Sequence, residues 1–309
     1  MENILIVDGV TKEYPGRVAV DSVSFTVKRG SIHGFLGPNG AGKTTTMRMI
    51  AGLLPATSGT ITLFGDVVRP EQKKLKNQLG LLPENPPLYH DMTVEDYLRF
   101  VGKLHHVSDL SARLDRIIVD LNLKDVRKRL IGNLSKGYKQ RVGLSQAIIY
   151  DAPFLILDEP TNGLDPQSVV ELREFIKKLA KEKTILFSSH ILSEVEQICD
   201  HITIIHKGKV RASGDLKDIH KKFRQGLVIR IGLASGENLP DLSSFGKYDM
   251  GPVRHLQQED QYHLSFENEM DIRPELLKYL VGKGLSVHTM MVESPELEDI
   301  FLHMTENRR

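Results

Sequence analysis

The amino-acid sequence predicts a layered α/β domain with a largely parallel sheet, followed by a small α+β domain. Up to about Gly214, short apolar segments alternate with amphipathic helical segments, a pattern typical of parallel sheets covered by helices. After Gly214 this alternation ends, and the order of predicted strands and helices changes. We place the first domain at residues 1–225 and the second, an accessory domain, at residues 226–309.

The first domain opens with β-rich segments and continues as alternating helices and strands. Ser31–Leu36 runs directly into a glycine-rich loop, and a helix is expected after that loop over Lys43–Ala51. Phe154–Leu157 is uniformly apolar, which is typical of a strand buried on both faces of a parallel sheet. The other predicted strands are Ile4–Val7, Ser22–Val27, Ile61–Phe64, Gln78–Leu82, Thr184–Ser188 and Ile202–His206.

The other helices of this domain follow from apolar residues at helical spacing. One helical stretch is expected from Val94 to about Leu130, with Thr93 and Asp96 forming a cap at its start. The remaining predicted helices are Gln140–Ile149, Gln167–Glu182 and Leu192–Ile198. In the second domain we expect strands at Leu227–Ile231, Tyr262–Phe266 and Leu285–Met291, and helices at Pro274–Leu280 and Pro295–His303.

Composition limits the classes of function. The chain is 40% apolar and carries 41 basic and 40 acidic residues, so it can bury a core and gives no electrostatic reason to expect nucleic-acid binding. A lone cysteine, Cys199, excludes an internal disulfide and suits a reducing compartment; we expect it to be a small buried side chain. We find neither a signal peptide nor an apolar run long enough to span a membrane. We therefore expect a cytoplasmic protein.

Residues 37–44 read Gly-Pro-Asn-Gly-Ala-Gly-Lys-Thr and fit the phosphate-binding loop G-x-x-x-x-G-K-[ST]. Its glycines let successive backbone N–H groups point inward at phosphates, and the following helix adds its positive end. Lys43 is expected to reach the β- and γ-phosphates, and the Thr44 hydroxyl to bind Mg²⁺. We therefore predict ATP and Mg²⁺ as ligands, and the residues of the loop that bind ATP as Gly37, Pro38, Asn39, Gly40, Ala41, Gly42, Lys43, Thr44 and Thr45.

Two carboxylates follow the apolar strand Phe154–Leu157. Asp158 is placed to hold Mg²⁺ through water at the carboxyl end of the strand, where α/β sheets bind their ligands. Glu159 is placed to take a proton from attacking water, as a general base. The alternative is an acidic turn with a purely structural role. We predict ATP hydrolysis with Glu159 and Lys43 among the catalytic residues.

Over about residues 1–225 the chain resembles the nucleotide-binding subunits of ATP-binding cassette (ABC) transporters. Leu134-Ser135-Lys136-Gly137-Tyr138 stands where that family has its LSGGQ signature, and Asn162-Gly163-Leu164-Asp165 matches its D-loop. His190 matches the switch histidine, a catalytic residue, and Tyr14 the aromatic residue that stacks on adenine. The resemblance implies a P-loop NTPase fold with a RecA-like core, a β-subdomain and a helical subdomain.

The signature segment has the features of a second phosphate cradle. Ser135 offers a hydroxyl, Gly137 permits close backbone approach, and the helix expected to begin near Lys139 supplies a dipole end. In the family the signature of one subunit completes the nucleotide site of another. The resemblance therefore implies a head-to-tail dimer in which Ser135 and Gly137 bind nucleotide.

Two departures from the family pattern stand out. Glu84 occupies the place of a glutamine; its carboxylate can still orient Mg²⁺-bound water, although it adds negative charge near phosphates. Lys136 and Tyr138 replace signature residues that are usually glycine and glutamine, and Lys136 either faces solvent or lends charge to the nucleotide. Similar variants, and the C-terminal segment 294–305, resemble type-2 ABC exporters of the drug-resistance and gliding-motility kind.

We therefore expect an ATP-hydrolysing subunit that powers export through transmembrane permease subunits, held peripherally on the inner face of the cell membrane. The alternatives are an importer ATPase with a regulatory tail and a non-transport ABC ATPase acting on ribosomes or DNA. The short tail disfavours the first, and a single cassette without extended heptads disfavours the second. Apolar Leu88, Tyr89 and Met92 form an expected groove for a permease helix, unless the protein's own fold buries them.

Overall fold

The computed structural model describes residues 2–72, 75, 77–223, 227–251, 253–256, 259–266 and 271–293. The chain divides into two compact units, Met1–Leu216 and Lys217–Arg309. The helix expected at Pro295–His303 and the C-terminal segment 294–305 lie outside the described residues, so neither is tested.

Two sheets form the first unit. An antiparallel sheet has the order β2-β1-β4-β5, and a six-stranded sheet has the order β10-β9-β3-β8-β7-β6. In the larger sheet every neighbouring pair is parallel except β9 and β10, as predicted from the alternating pattern. The strands are β1 (Asn3–Tyr14), β2 (Arg17–Lys28), β3 (Ile32–Leu36), β4 (Ser58–Leu63), β5 (Asp66–Val67), β6 (Leu79–Leu82), β7 (Phe154–Asp158), β8 (Thr184–Ser189), β9 (His201–His206) and β10 (Lys209–Asp215).

The helices of the first unit lie in the predicted order, with two corrections to their bounds. The stretch expected from Val94 to Leu130 holds two helices, because left-handed backbone conformations interrupt it at His106 and Asp109, between the helices, and at Asn122, after the second. The signature helix begins at Lys136 and not near Lys139, because the Ser135 side chain caps it. The described helices are α1 (Lys43–Ile50), α2 (Val94–Leu104), α3 (Leu110–Asp120), α4 (Lys136–Ile148), α5 (Pro166–Ala180) and α6 (Leu192–Ile198). A further helix, α7 (Leu216–Phe223), belongs to the second unit from Lys217 onwards.

The core of the first unit holds β3, β7 and β8 next to one another. All five residues of β7 are buried, and Phe35, Phe154 and Leu186 pack in one cluster with Met47 of α1. Because β3, β7 and β8 are parallel, the segments that follow them emerge at the same edge of the sheet. These segments are the glycine loop, the Asp158–Glu159 pair and the residues around His190. Cys199 is buried in this unit, as expected, and burial raises the pKa of its thiol.

The second unit is α+β, as the sequence predicted. Its antiparallel sheet has the order β12-β14-β11-β15, with β13 beside β14. Leu276 and Leu280 of the helix pack against Ile229 and Leu264 of the sheet. The elements are β11 (Leu227–Ala234), β12 (Tyr248–Met250), β13 (Arg254–His255), β14 (Glu259–Phe266), α8 (Arg273–Gly282) and β15 (Val287–Glu293); the two short strands β12 and β13 were not predicted.

Candidate active site

The glycine loop lies between β3 and α1, the arrangement that a phosphate-binding loop requires. Gly42 has a φ of 110° and precedes the first residue of α1, and a Cβ there would lie 2.8 Å from the Ala19 carbonyl oxygen. A Cβ at Gly37 would lie 2.3 Å from the carbonyl oxygen of Ile205. Both positions therefore exclude side chains, so the loop keeps the bare backbone that phosphate binding needs.

Lys43 points back into the loop that precedes it. Its side chain is buried, and Nζ donates a hydrogen bond of 2.7 Å to the carbonyl oxygen of Gly37. The same Nζ lies 3.0 Å from Oε1 of Glu159, a buried ion pair between the loop and the end of β7. The structure thus brings together Lys43 and Glu159, which are far apart in the sequence.

Glu159 is held in an unusual backbone conformation. Its φ is 49°, in the left-handed region that residues other than glycine seldom adopt. The backbone N–H donates a 2.9 Å hydrogen bond to Oγ of Ser188 on the neighbouring strand, and Oε2 lies 2.7 Å from Nδ1 of His190. The Glu159 carboxylate therefore sits between Lys43 and His190, and all three predicted catalytic residues meet.

Asp158 lies beside this group at the end of β7 and is buried. Burial raises the pKa of its carboxyl group, while hydrogen bonds from Ser188 and Thr44 oppose that rise. The bond from Ser188 Oγ to Asp158 Oδ1 is 2.6 Å long. Two residues that were predicted to bind Mg²⁺, Asp158 and Thr44, are thus in contact. Ser188 was not predicted as a site residue, because its place in the strand shows nothing but burial.

An open cleft of about 340 Å³ lies over the loop. It contains most of the predicted nucleotide-binding residues and two that sequence reasoning missed, Arg17 and Ala19. Arg17 begins β2 and Ala19 follows it, so only the fold brings them to the loop. The lining residues are Tyr14, Arg17, Ala19, Asn39, Gly40, Gly42, Lys43, Thr44, Thr45, Glu84 and Glu159.

Glu84 joins this cleft to the D-loop. Its Oε1 accepts a 2.9 Å hydrogen bond from Nδ2 of Asn162, the first residue of the D-loop segment. The negative charges of Glu84 and Glu159 both favour a higher pKa for Asp158. The carboxylate that replaces the usual glutamine therefore lies close to the predicted metal ligands.

The signature lines a second, separate cleft of about 780 Å³, together with the D-loop. Ser135 and Gly137 lie here and are absent from the lining of the first cleft. Oγ of Ser135 accepts the Tyr138 N–H at 3.5 Å and so caps α4. Lys136 is exposed, and its side chain lies close to Gly163 of the D-loop, where an added Cβ would clash with its Nζ. The two predicted phosphate cradles of one chain are thus distinct.

Comparison with known proteins decides the family. Residues 20–162 match the model of the ABC transporter family, and residues 214–305 match that of the C-terminal domain of DrrA1-3-like ATP-binding proteins. The bacitracin transport ATP-binding protein BcrA of Bacillus licheniformis is 35% identical, with 98% of each chain covered. The chain belongs to the ABC transporter ATP-binding proteins. Its cassette binds nucleotide, it is an ABC ATPase, and such subunits work with transmembrane permeases.

Other relatives agree with this assignment. The linearmycin resistance ATP-binding protein LnrL of Bacillus subtilis is 32% identical, with 98% of each chain covered. A solved ATP-binding subunit of an ABC transporter has a TM-score of 0.66 at 33% identity and covers 71% of this chain and 93% of its own. Among the described residues of this ABC ATPase, none of the helices is both long and apolar enough to cross a membrane.

Proposed function

We propose that this ABC ATPase powers export through a partner permease, with Mg²⁺ as the cofactor of hydrolysis. ATP hydrolysis is supported by one observation above all: Lys43 and His190 both contact the carboxylate of Glu159. Export is supported by the names of two relatives, a bacitracin transport protein and a linearmycin resistance protein. The C-terminal match to DrrA1-3-like proteins supports the same class.

The residues present fit a magnesium nucleotide. The side chains that would hold Mg²⁺ are the Thr44 hydroxyl and the Asp158 carboxylate, which hydrogen-bond each other, with Glu84 beside them. When bound, Mg²⁺ neutralises charge that develops on the phosphates. A cation also lowers the pKa of a neighbouring carboxyl group, which would oppose the effect of burial on Asp158.

The chain's own residues supply binding, orientation and proton transfer. Lys43 and the backbone N–H groups of residues 39–45 bind phosphate, and Tyr14 stacks on the base. Glu159 accepts the proton of attacking water through Oε2 or Oε1, and His190 holds that carboxylate in place at 2.7 Å. The left-handed backbone of Glu159 aims the side chain at the loop, which costs backbone strain that the Ser188 hydrogen bond offsets.

Two further proposals concern assembly. We assign the second cleft, with Ser135 and Gly137, to the nucleotide on another subunit, so that two chains form a head-to-tail dimer. The separation of the two clefts within one chain supports this assignment. The protein would then be cytoplasmic and held on the inner face of the membrane by its permease.

The permease is assigned to a surface formed by Tyr89 and Phe100. Tyr89 is 52% exposed and Phe100 43%, and their rings lie 5.8 Å apart. Of the three residues of the expected groove, Leu88 and Met92 are half-buried and Tyr89 is exposed, so the protein's own fold covers only part of it. Residues 226–309 are assigned a supporting or regulatory role, and residues 1–225 the nucleotide chemistry.

The test separates binding from hydrolysis. Lys43→Ala removes a charge-assisted phosphate contact and is expected to weaken ATP binding. Glu159→Gln keeps the shape but cannot accept a proton, so it is expected to bind ATP and fail at hydrolysis. Nucleotide affinity and single-turnover hydrolysis are measured for both, with exposed Glu182→Gln as the control. Wild-type turnover by Glu159→Gln would refute the role of Glu159.

A further inference from the structure

A third buried carboxylate lies near the catalytic pair. Glu194 on α6 is 6% exposed, and its Oε2 accepts hydrogen bonds from two hydroxyl groups. Thr161 Oγ1 donates at 2.7 Å and Ser189 Oγ at 3.1 Å. Burying a carboxylate is costly, and both donors are neutral, so this arrangement needs a reason beyond ion pairing.

The two donors flank the catalytic residues. Thr161 follows Glu159 by two positions, and Ser189 immediately precedes His190. Ser189 Oγ also accepts the N–H of Ile191 at 2.9 Å, which closes the turn on the other side of His190. One carboxylate oxygen therefore joins the segment after β7 to the segment after β8.

No backbone pairing makes that connection at this point in the described sheet. The register between β7 and β8 ends at the pair Asp158 and Ser188, just before Glu159 and Ser189. Beyond this pair, Ser189 remains paired with Leu36 of β3, whereas Glu159 follows the last residue of β7. The described link between Glu159 and His190 is between their side chains. The Glu194 carboxylate binds a hydroxyl group on each segment.

We propose that Glu194 is a positioning residue, which sets the distance between Glu159 and His190 for hydrolysis. This inference rests on the proposed roles of those two residues. A carboxylate holds hydroxyl donors about twice as strongly as a neutral acceptor does. Without this link, the Glu159 carboxylate can move relative to the water that it activates. A misplacement on the order of 1 Å lowers the rate about 100-fold.

The experiment compares kcat with KM for ATP in the full chain. Glu194→Ala is expected to lower kcat about 10- to 100-fold. Its KM for ATP is expected to stay within about twofold, because the hydrogen bonds of Glu194 come from Thr161 and Ser189, which lie outside residues 37–45. Glu194→Gln is expected to recover most of the loss, because its amide oxygen can accept both hydrogen bonds. Exposed Glu182→Gln serves as the matched control and is expected to match the wild type.

A coupling measurement separates positioning from general loss of structure. If Glu194 acts through the pair, its effect shrinks when His190→Ala is already present, so the two changes are not additive. Should Glu194→Ala fail to fold, Thr161→Val must show the same fall in kcat at constant KM. Normal kcat in these variants, or fully additive losses, would overturn the proposal while Glu159→Gln remains inactive. An active Glu159→Gln would instead overturn the proposed function itself.

Discussion

Removing the hydroxyl of Ser188 tests the coupling between fold and site most directly. This side chain is fully buried and makes two hydrogen bonds at the end of β8. It donates to Asp158 Oδ1 at 2.6 Å and accepts the N–H of Glu159 at 2.9 Å. Ser188→Ala deletes both bonds while changing the volume very little, so the expected effect is electrostatic.

The magnitude follows from the two bonds. A hydrogen bond to a charged group contributes about 1.5–3 kcal/mol, and a buried N–H left without a partner costs about 1–3 kcal/mol. Because the contributions share one hydroxyl and the site can relax, we expect a loss of about 2–4 kcal/mol in local stability at neutral pH. Turnover is also expected to fall, since the strained backbone of Glu159 loses its partner.

The loss depends on pH with a defined sign. Burial places the pKa of Asp158 in the folded state above its unfolded value, so the stability contributed by this group is present at low pH and is lost as pH rises through the folded pKa. Ser188→Ala removes a hydrogen bond that lowers this pKa, which raises it further. The destabilisation is therefore expected to be larger at neutral pH than near pH 4, which is about the unfolded pKa.

Hydrogen exchange of the β7 and β8 amides measures this local stability, since a chain of two units need not unfold in one step. Ser193→Ala on the exposed face of α6 is the control, with an expected change below about 0.5 kcal/mol. A loss below about 0.5 kcal/mol for Ser188→Ala, or one that does not vary with pH, would refute the reasoning.

Three further predictions concern other parts of the first unit. Hydrogen bonds from Arg127 and Arg99 lower the pKa of Glu95 from its usual 4.5 to about 2. The stability that Glu95 gives to α2 is therefore present above pH 4.5 and is lost as pH falls from 4.5 towards 2. Glu95→Gln should remove this pH dependence from acid-unfolding curves. Ser135→Arg puts bulk and charge in the second cleft, so with Glu159→Gln it should stay monomeric with ATP in sedimentation, where Glu159→Gln alone should dimerise. Glu84→Gln should change turnover modestly at similar ATP affinity, and identical Mg²⁺ titration curves for the two proteins would contradict a metal-binding role.

Local patterns were sufficient to predict the glycine loop, most strands and the carboxylate pair. A buried parallel strand is uniformly apolar, and a phosphate loop needs glycines at fixed spacing between a strand and a helix, so both can be recognised within a few residues. The helix breaks at His106 and Asp109 were missed, because left-handed conformations at residues other than glycine leave little trace in a hydrophobic pattern. The early start of α4 was missed because the cap at Ser135 was interpreted only as a phosphate ligand.

The sequence by itself determined the family and the residue types available for chemistry. The tertiary structure alone decided which of them meet. Glu159 and His190 are 31 residues apart, and they come together because β7 and β8 are neighbours in the sheet. Ser188, Glu194 and Arg17 have no motif, and their positions depend on strand order and on which side chains the core buries. The order of strands in a sheet is set by packing between distant segments, so the spacing of residues within a segment does not predict it.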